Sequence, residues 1–202
     1  MNRRQAEEYL RCKNDVRYFA EKYITIETID GPIKLESLTD IQKEILNNYQ
    51  NKRFSFVSSP RQRGKTTISA ILLLHSCIFN SDFNHVVCGM NVDMTNHILR
   101  LISNMNSYLP NFFHSNLLTD NILELEFSTG SKVFSCGNSL LNKRGTTIDI
   151  LYIDESDYIN KVNEILSVFL PTAANANGKS KMFSSSTSRL QNEFEKFNRS
   201  AK

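Results

Sequence analysis

The sequence predicts an α/β protein with a mostly parallel central sheet flanked by helices. Three observations support this prediction. Short runs rich in β-branched and aromatic residues alternate with longer helical patterns, as in β-α-β units. A loop containing glycine and lysine, residues 58–67, lies between a strand pattern and a helical pattern. An apolar strand pattern over residues 148–154 ends in acidic residues. We therefore expect the functional side chains to lie at the carboxyl ends of the strands.

Composition limits the class of protein. The 202 residues are 40% hydrophobic and 22% charged, which favours one globular domain and excludes collagen-like, coiled-coil and disordered chains. A net charge of +3 is too small to indicate nucleic-acid binding by itself. The scattered cysteines and the charged N-terminal residues predict reduced thiols in a cytoplasm. The longest apolar stretch falls short of the ~20 residues of a membrane span, and histidines and cysteines lack zinc-ligand spacing.

The N-terminal part of the chain predicts helices that precede the sheet. Apolar spacing predicts one helix over residues 3–22. A hairpin-like turn follows at residues 30–32, where glycine precedes proline. A further helix is predicted over residues 40–49, with Thr39 or Asp40 as its N-cap.

The remainder of the chain predicts the sheet and its helices. We therefore divide the protein into an N-terminal helical extension, residues 1–50, and a core, residues 51–202. The strands 122–127 and 132–136 form an antiparallel hairpin, and Pro171 breaks or kinks the helix 162–174. The predicted core strands are 54–59, 85–90, 122–127, 132–136, 148–154 and 181–186, and the predicted core helices are 65–80, 92–109, 162–174 and 190–199.

The loop after the first core strand has the features of a phosphate-binding loop. Such a loop needs backbone N–H groups turned inward, a lysine for the β- and γ-phosphates and a hydroxyl for Mg²⁺. Gly64, Lys65 and Thr66 supply these features, and the following helix adds its positive N-terminal end. Ser59 stands where the first glycine of the usual motif is found. A basic turn before a core helix is the structural alternative. We predict nucleotide contacts from Ser59, Pro60, Gln62, Arg63, Gly64, Lys65, Thr66 and Thr67.

The acidic strand end is the expected partner of this loop. Asp154 and Glu155 follow an apolar strand whose carboxyl end meets the same sheet edge as the loop. We predict that Asp154 and Thr66 hold Mg²⁺ and that Glu155 polarises the attacking water. This arrangement favours hydrolysis of a nucleotide over transfer of its phosphate to a second substrate.

These residues resemble the ATPase domain of the large terminase subunit of tailed bacteriophages, myovirus type, a DNA-packaging motor. The resemblance covers nearly the whole chain. It implies a RecA/ASCE-like P-loop NTPase core that uses ATP and Mg²⁺. The segments that carry it are Asp15-Val-Arg-Tyr-Phe-Ala-Glu-Lys-Tyr-Ile24, Leu38-Thr-Asp-Ile-Gln-Lys43, Arg61-Gln-Arg-Gly-Lys-Thr-Thr67 and Lys143-Arg-Gly145.

The resemblance implies roles for individual residues. Gln42, in an adenine-recognition segment, would contact the base, and Arg61 would be the cis arginine that neutralises charge on the γ-phosphate. Arg63 competes for that role, and the sequence leaves the two open. A hydroxyl-rich coupling motif would pass hydrolysis on to DNA movement; it matches Ser185, Ser186 and Thr187.

The resemblance also implies partners and a location. They are double-stranded DNA, the portal protein, the small terminase subunit and further copies of the chain in a ring, in the host cytoplasm and transiently at the procapsid portal. The family's C-terminal nuclease has no counterpart in this sequence, so we expect a fragment, a split gene product or a shortened chain that does not cleave DNA.

Two alternative functions remain open. A superfamily 2-type helicase or translocase would also fit the acids of Asp154-Glu-Ser-Asp157 and a glutamine upstream of the loop. An interaction module that binds ATP without turnover would use the same loop. Strand separation and binding without hydrolysis are the respective observations that distinguish them.

Overall fold

A computed structural model of the chain describes residues 1–113, 115–137, 146–159, 162–175 and 180–186. It begins with two helices, α1 (Arg3–Asn14) and α2 (Val16–Tyr23), where the sequence predicted one. Asp15 separates them because its backbone is extended and its side chain accepts a hydrogen bond from the N–H of Tyr18. The Asp15 side chain caps the start of α2, and this cap is favoured over continuation of α1 through residue 15. The prediction of a single helix was therefore wrong.

A hairpin and a third helix follow. Strands β1 (Thr25–Thr28) and β2 (Gly31–Lys34) pair antiparallel in a sheet of their own. Helix α3 (Asp40–Asn51) begins after Thr39, which forms a reciprocal capping box with Gln42. The predicted turn and the Thr39 cap are thereby confirmed.

Within the described ranges, seven strands form the central sheet, in the order β3-β9-β8-β4-β7-β6-β5. The first five of these strands run parallel, whereas β6 and β5 are added antiparallel at one edge. The mostly parallel sheet is confirmed, and β5 is a strand that the sequence analysis missed. The strands are β3 (Phe54–Ser58), β4 (Asn84–Cys88), β5 (Leu117–Asp120), β6 (Glu124–Phe127), β7 (Lys132–Ser135), β8 (Ile150–Ile153) and β9 (Lys181–Ser186).

Helices cover the sheet, and alternate residues of its strands face two apolar clusters. Val87 and Tyr152 belong to the cluster that contains α4 (Lys65–Phe79) and α5 (Val92–Ser107). Their strand neighbours Val86 and Leu151 belong to the cluster that contains α6 (Val162–Asn175). This alternation is what a strand buried on both faces requires.

Two predicted helices need comment. Helix α6 continues through Pro171 and is therefore not broken there. The helix predicted over residues 190–199 lies outside the described residues. The described helices include none with the length and apolarity to span a membrane.

The N-terminal helices share the larger cluster with α4. Phe19 of α2 is fully buried and packs edge-to-face against Phe79 and Phe113. Contacts of this kind anchor α2 on α4, the helix that follows the loop of residues 59–64.

Candidate nucleotide-binding site

The loop of residues 59–64 joins β3 to α4 and is fixed at both ends. The N–H of Ser59 donates to the carbonyl of Ser186, 3.1 Å away, which extends the pairing of β3 with β9. Gln62 and Gly64 have positive φ values of 60° and 72°. Backbone in this conformation turns consecutive N–H groups towards a common anion. A Cβ on Gly64 would also overlap the side-chain nitrogen of Gln42, so this position needs glycine in two respects.

Lys65, the first residue of α4, turns back onto the loop. Its side chain is buried, and Nζ donates to the carbonyl oxygens of Ser59 and Pro60 at 2.5 and 3.0 Å. Burial lowers the pKa of Lys65, and the nearby carboxylates of Glu155 and Asp154 act in the opposite direction. The structure thus holds a buried cation beside a pair of acids.

A cavity of about 410 Å³ lies over the loop. Seven consecutive residues of the loop and α4 line it, together with the acid Glu155. The seven are Arg61, Gln62, Arg63 and Gly64 of the loop and Lys65, Thr66 and Thr67 of α4. A larger cavity of about 530 Å³ lies between β1 and α5. That cavity lacks the lysine, the glycine turn and the strand-end acids, so size alone does not identify the site.

Asp154 follows β8 and is held by two hydroxyl groups. It is 4% exposed, and its Oδ1 accepts hydrogen bonds from Tyr152 Oη at 2.6 Å and Ser185 Oγ at 2.9 Å. Within the part of the chain that the structure describes, no donor reaches Oδ2. The carboxylate therefore has one oxygen engaged and one available.

Glu155 has an unusual backbone. Its φ and ψ are 46° and 56°, the left-handed conformation that a side chain other than glycine adopts at a cost of about 1 kcal/mol or more. Its N–H donates to Ser185 Oγ at 3.2 Å, and its side chain lines the cavity. Strain of this kind is found where a side chain must be aimed at a site.

Strand β9 lies between β3 and β8, so its end separates the loop from the acids. Ser185 bonds Asp154 and the N–H of Glu155, and its carbonyl accepts from Ser156 Oγ at 3.1 Å. Ser186 Oγ donates to a carboxylate oxygen of Asp157. The predicted coupling residues Ser185 and Ser186 therefore contact the acidic segment directly, and Thr187 lies outside the described residues.

The family model for the terminase large subunit, T4-like-virus type, N-terminal part, matches residues 57–199. The chain belongs to this family. The match includes the loop, the acids and β9, and the family predicted from the sequence is confirmed. Gln42 precedes the matched residues.

Solved structures agree on the fold of this terminase chain. The large terminase of bacteriophage HK97 is 16% identical with a TM-score of 0.67, over 87% of this chain and 37% of that one. The large terminase ATPase domain of Thermus phage P74-26 is 18% identical with a TM-score of 0.65, over 80% of this chain and 69% of that one. The UvsW helicase of bacteriophage T4 is 12% identical with a TM-score of 0.60, over 92% of this chain and 64% of that one. These likenesses show a P-loop ATPase fold, and the helicase shares it.

Two arginines of the terminase loop line the cavity, and one of them has a described partner. Both arginines are exposed, and Arg61 donates from Nη2 to Tyr158 Oη at 3.1 Å. Tyr158 belongs to the short 3₁₀ turn Ser156–Tyr158 after the acids. The link joins the loop to the segment that carries Glu155.

The sequence analysis missed Tyr152 and Tyr158 as neighbours of the terminase site. Period-two alternation puts Tyr152 on the same strand face as Asp154, which was a usable signal. No such signal exists for Tyr158, because its contact depends on how the loop and the turn meet in space. Residues 143–145, the arginine-glycine segment of the resemblance, lie outside the described residues.

Gln42 is buried at the base of the terminase loop. Its Oε1 accepts from the N–H of Thr39 at 2.9 Å, and its amide nitrogen lies against Gly64. Among the described residues no group of three or more His, Cys, Asp or Glu side chains has a metal-ligating arrangement.

Proposed function

We propose that this chain hydrolyses ATP and that hydrolysis drives double-stranded DNA into the phage procapsid. The observation that carries the proposal is one cavity lined by Lys65, Thr66 and Glu155, with Asp154 fixed beside it. Membership of the terminase family supports the packaging role. The chain spans 37% of the HK97 large terminase, so the packaging role is proposed for the motor to which it belongs.

The loop binds the phosphates of ATP. Two of the three Lys65 ammonium donors now engage carbonyls of the loop. Phosphate oxygens replace those acceptors when ATP binds, because they are charged and accept stronger hydrogen bonds. The N-terminus of α4 and the left-handed turn at Gly64 add backbone donors. Gln42, beside that turn, contacts the adenine.

Magnesium fits the oxygen donors at this site. The available Oδ2 of Asp154 and the hydroxyl of Thr66 are hard ligands of the kind that Mg²⁺ prefers, and Asp154 acts through water. When bound, the ion neutralises charge on the β- and γ-phosphates. The protein's part is to orient the Asp154 carboxylate, which its two hydroxyl partners do.

Glu155 acts as the base that activates water. Its carboxylate takes no hydrogen bond from the described residues, and it faces the loop across the cavity. It can therefore orient a water molecule towards the γ-phosphate and accept the proton that is released. Arg61 leaves Tyr158 and neutralises the charge that develops on the transferred phosphoryl group.

Strand β9 couples hydrolysis to DNA movement in this proposal. Ser185 and Ser186 contact the acidic segment, and Thr187 continues the motif. Displacement of Asp154 or Glu155 during hydrolysis is therefore transmitted to the end of β9. The partners that we propose are double-stranded DNA, the portal protein, the small terminase subunit and further copies in a ring, in the host cytoplasm.

Phosphate release from Mg-ATP tests the enzymatic part of the proposal. Glu155→Gln is expected to lower kcat about 10²- to 10⁴-fold, because it removes the base and keeps the shape of the side chain. Glu7→Gln, an exposed carboxylate of α1 that does not line the cavity, is the matched control. Stimulation by duplex DNA supports the motor. Equal rates for both variants would contradict the assignment of Glu155.

The two loop arginines provide a second comparison. Arg61→Ala is expected to lower kcat about 10³-fold with little change in ATP affinity, since it removes a charge needed in the transition state. Arg63→Ala, two residues away, should stay within a few-fold of the wild type. The reverse ranking, measured as kcat and KM, would assign the cis arginine to Arg63.

Each alternative function has its own outcome. Thermal protection by ATP without phosphate release favours an ATP-binding interaction module. Unwinding of a tailed duplex favours the helicase, whose fold the UvsW structure represents. We also expect no plasmid cleavage with Mg²⁺ or Mn²⁺, and robust cutting would contradict that expectation.

A further inference from the structure

Tyr152 is a buried phenol in the middle of an otherwise aliphatic strand. All four residues of β8 are buried, and Tyr152 is 0% exposed. Burial of a hydroxyl is unfavourable unless it is hydrogen-bonded, and packing alone would be satisfied by phenylalanine. The hydroxyl therefore requires an explanation other than the core.

The alternation of side chains along a strand places a hydrogen-bond partner next to the Tyr152 hydroxyl. Residues two apart point to the same face of a strand, and Tyr152 precedes Asp154 by two. Tyr152 Oη donates to Asp154 Oδ1 at 2.6 Å and lies 3.2 Å from Ser185 Oγ. The phenol thus meets the acid of β8 and the serine of β9 at one point.

The ring itself is fixed. Tyr152 stacks on Phe183 with 4.6 Å between the ring centroids and 24° between the planes. The two residues are register partners in the pairing of β8 with β9. A ring locked in this manner holds its hydroxyl at one place relative to the Asp154 carboxylate.

Both hydroxyl donors approach the same oxygen of Asp154. Oδ1 accepts from Tyr152 and from Ser185, and Oδ2 takes no hydrogen bond from the described residues. The pair of bonds therefore determines the rotation of the carboxylate and selects the oxygen that faces a cation.

We propose that Tyr152 is a positioning residue of the ATPase: its phenol orients Asp154 so that Oδ2 serves the cation that accompanies the nucleotide. The inference rests on the proposed function and deepens it. Removal of an outer-shell hydrogen-bond partner at a metal site typically costs 10- to 100-fold in metal affinity or activity. Tyr152→Phe removes the donor and keeps the stacked ring.

Mn²⁺ binding provides a readout that does not depend on turnover. Free Mn²⁺ is measured by electron paramagnetic resonance while the full chain, saturated with a non-hydrolysable ATP analogue, is titrated with the metal. Tyr152→Phe is expected to raise the half-saturating Mn²⁺ concentration about 10-fold. Activity at increasing Mg²⁺ should show the same shift, with kcat recovering at high metal concentration.

Tyr49→Phe is the matched control. Tyr49 is another phenol that packs on Phe183, with 5.4 Å between the centroids, but it lies on α3 away from the acids. Its loss should leave Mn²⁺ affinity within twofold of the wild type. Equal shifts in both variants would overturn the proposal, because a packing effect on Phe183 would then suffice. A Tyr152→Phe affinity within twofold of the wild type would overturn it as well.

Two further measurements keep the outcomes distinct. If the wild type fails to bind the analogue, the proposed function fails, whereas wild-type binding with an unaffected Tyr152→Phe refutes this inference alone. If Tyr152→Phe does not fold, as judged by thermal unfolding without metal, Ser185→Ala removes the other donor to Oδ1. Unchanged Mn²⁺ affinity in Ser185→Ala would then overturn the proposal.

Discussion

Replacement of Gly64 by alanine tests how the phosphate-binding loop is held against α3. The glycine has a φ of +72°, and a Cβ there would overlap the side-chain nitrogen of Gln42. Gln42 cannot retreat freely, because its Oε1 accepts the hydrogen bond from the N–H of Thr39 that completes the capping box. Gly64→Ala therefore perturbs the backbone of the loop and the N-terminus of α3 together.

The magnitude follows from these two effects. A left-handed conformation costs a residue other than glycine about 1–2 kcal/mol. Loss of the capping interaction at Thr39 adds about 1 kcal/mol. We expect the free energy of unfolding to fall by about 2–3 kcal/mol, which for a chain of this size lowers Tm by roughly 5–10 °C.

Thermal unfolding without nucleotide measures this loss, and Gly31→Ala is the control. Gly31, in the hairpin turn, has a φ of +111°, but a Cβ there meets nothing within 4 Å. Its φ lies beyond the left-handed helical region, so Gly31→Ala gives an upper limit for backbone strain without overlap. A larger loss in Gly64→Ala than in Gly31→Ala would therefore require the contact with Gln42.

A double-mutant cycle completes the test. In a Gln42→Ala background the overlap and the capping bond are already absent, so Gly64→Ala should cost about 1 kcal/mol less than in the wild type. If Gly64→Ala costs the same in both backgrounds, the packing of the loop on α3 does not restrict residue 64, and the reasoning is refuted.

Further predictions concern the N-terminal helices and the response to acid. Asp15→Ala should lower the free energy of unfolding by about 1 kcal/mol through loss of the α2 cap, and an unchanged Tm would contradict the cap. Burial lowers the pKa of His75 and His85 to about 4 from 6.5, so stability should fall as pH drops from 6.5 towards 4; a flat profile in denaturant titrations would refute this. Hydrogen bonds, above all from Lys22, lower the pKa of Glu8 from 4.5 to about 2, so the stability it adds is lost between those values, and Glu8→Gln should flatten that part of the profile.

Local sequence was sufficient for the main chemical features. The phosphate-binding loop and the pair Asp154 and Glu155 are contiguous residues that follow strands, so their position at one sheet edge could be predicted from the order of elements. The terminase family followed from the same residues and is confirmed by the match over residues 57–199.

Other features depended on competition or on distant pairing. The break at Asp15 results from a cap competing with an otherwise continuous apolar pattern. Strand β5 exists because β6 offers it an edge, and its four residues carry no strong pattern of their own. The contacts of Tyr152 and Tyr158 follow from the position of β9 and from the approach of the loop to the turn after Asp154.

The position of β9 also has a consequence for how the protein is made. Among the described strands, β3 pairs with β9 alone, although the two are the first and last strands of the sheet in chain order. During synthesis β3, the strand that leads into the loop, therefore has no pairing partner until nearly all of the described chain has emerged from the ribosome. Closing so long a connection is slow. Nucleotide affinity should consequently be acquired late and abruptly, and nascent chains that end before residue 181 should leave β3 as an unpaired apolar strand that chaperones bind.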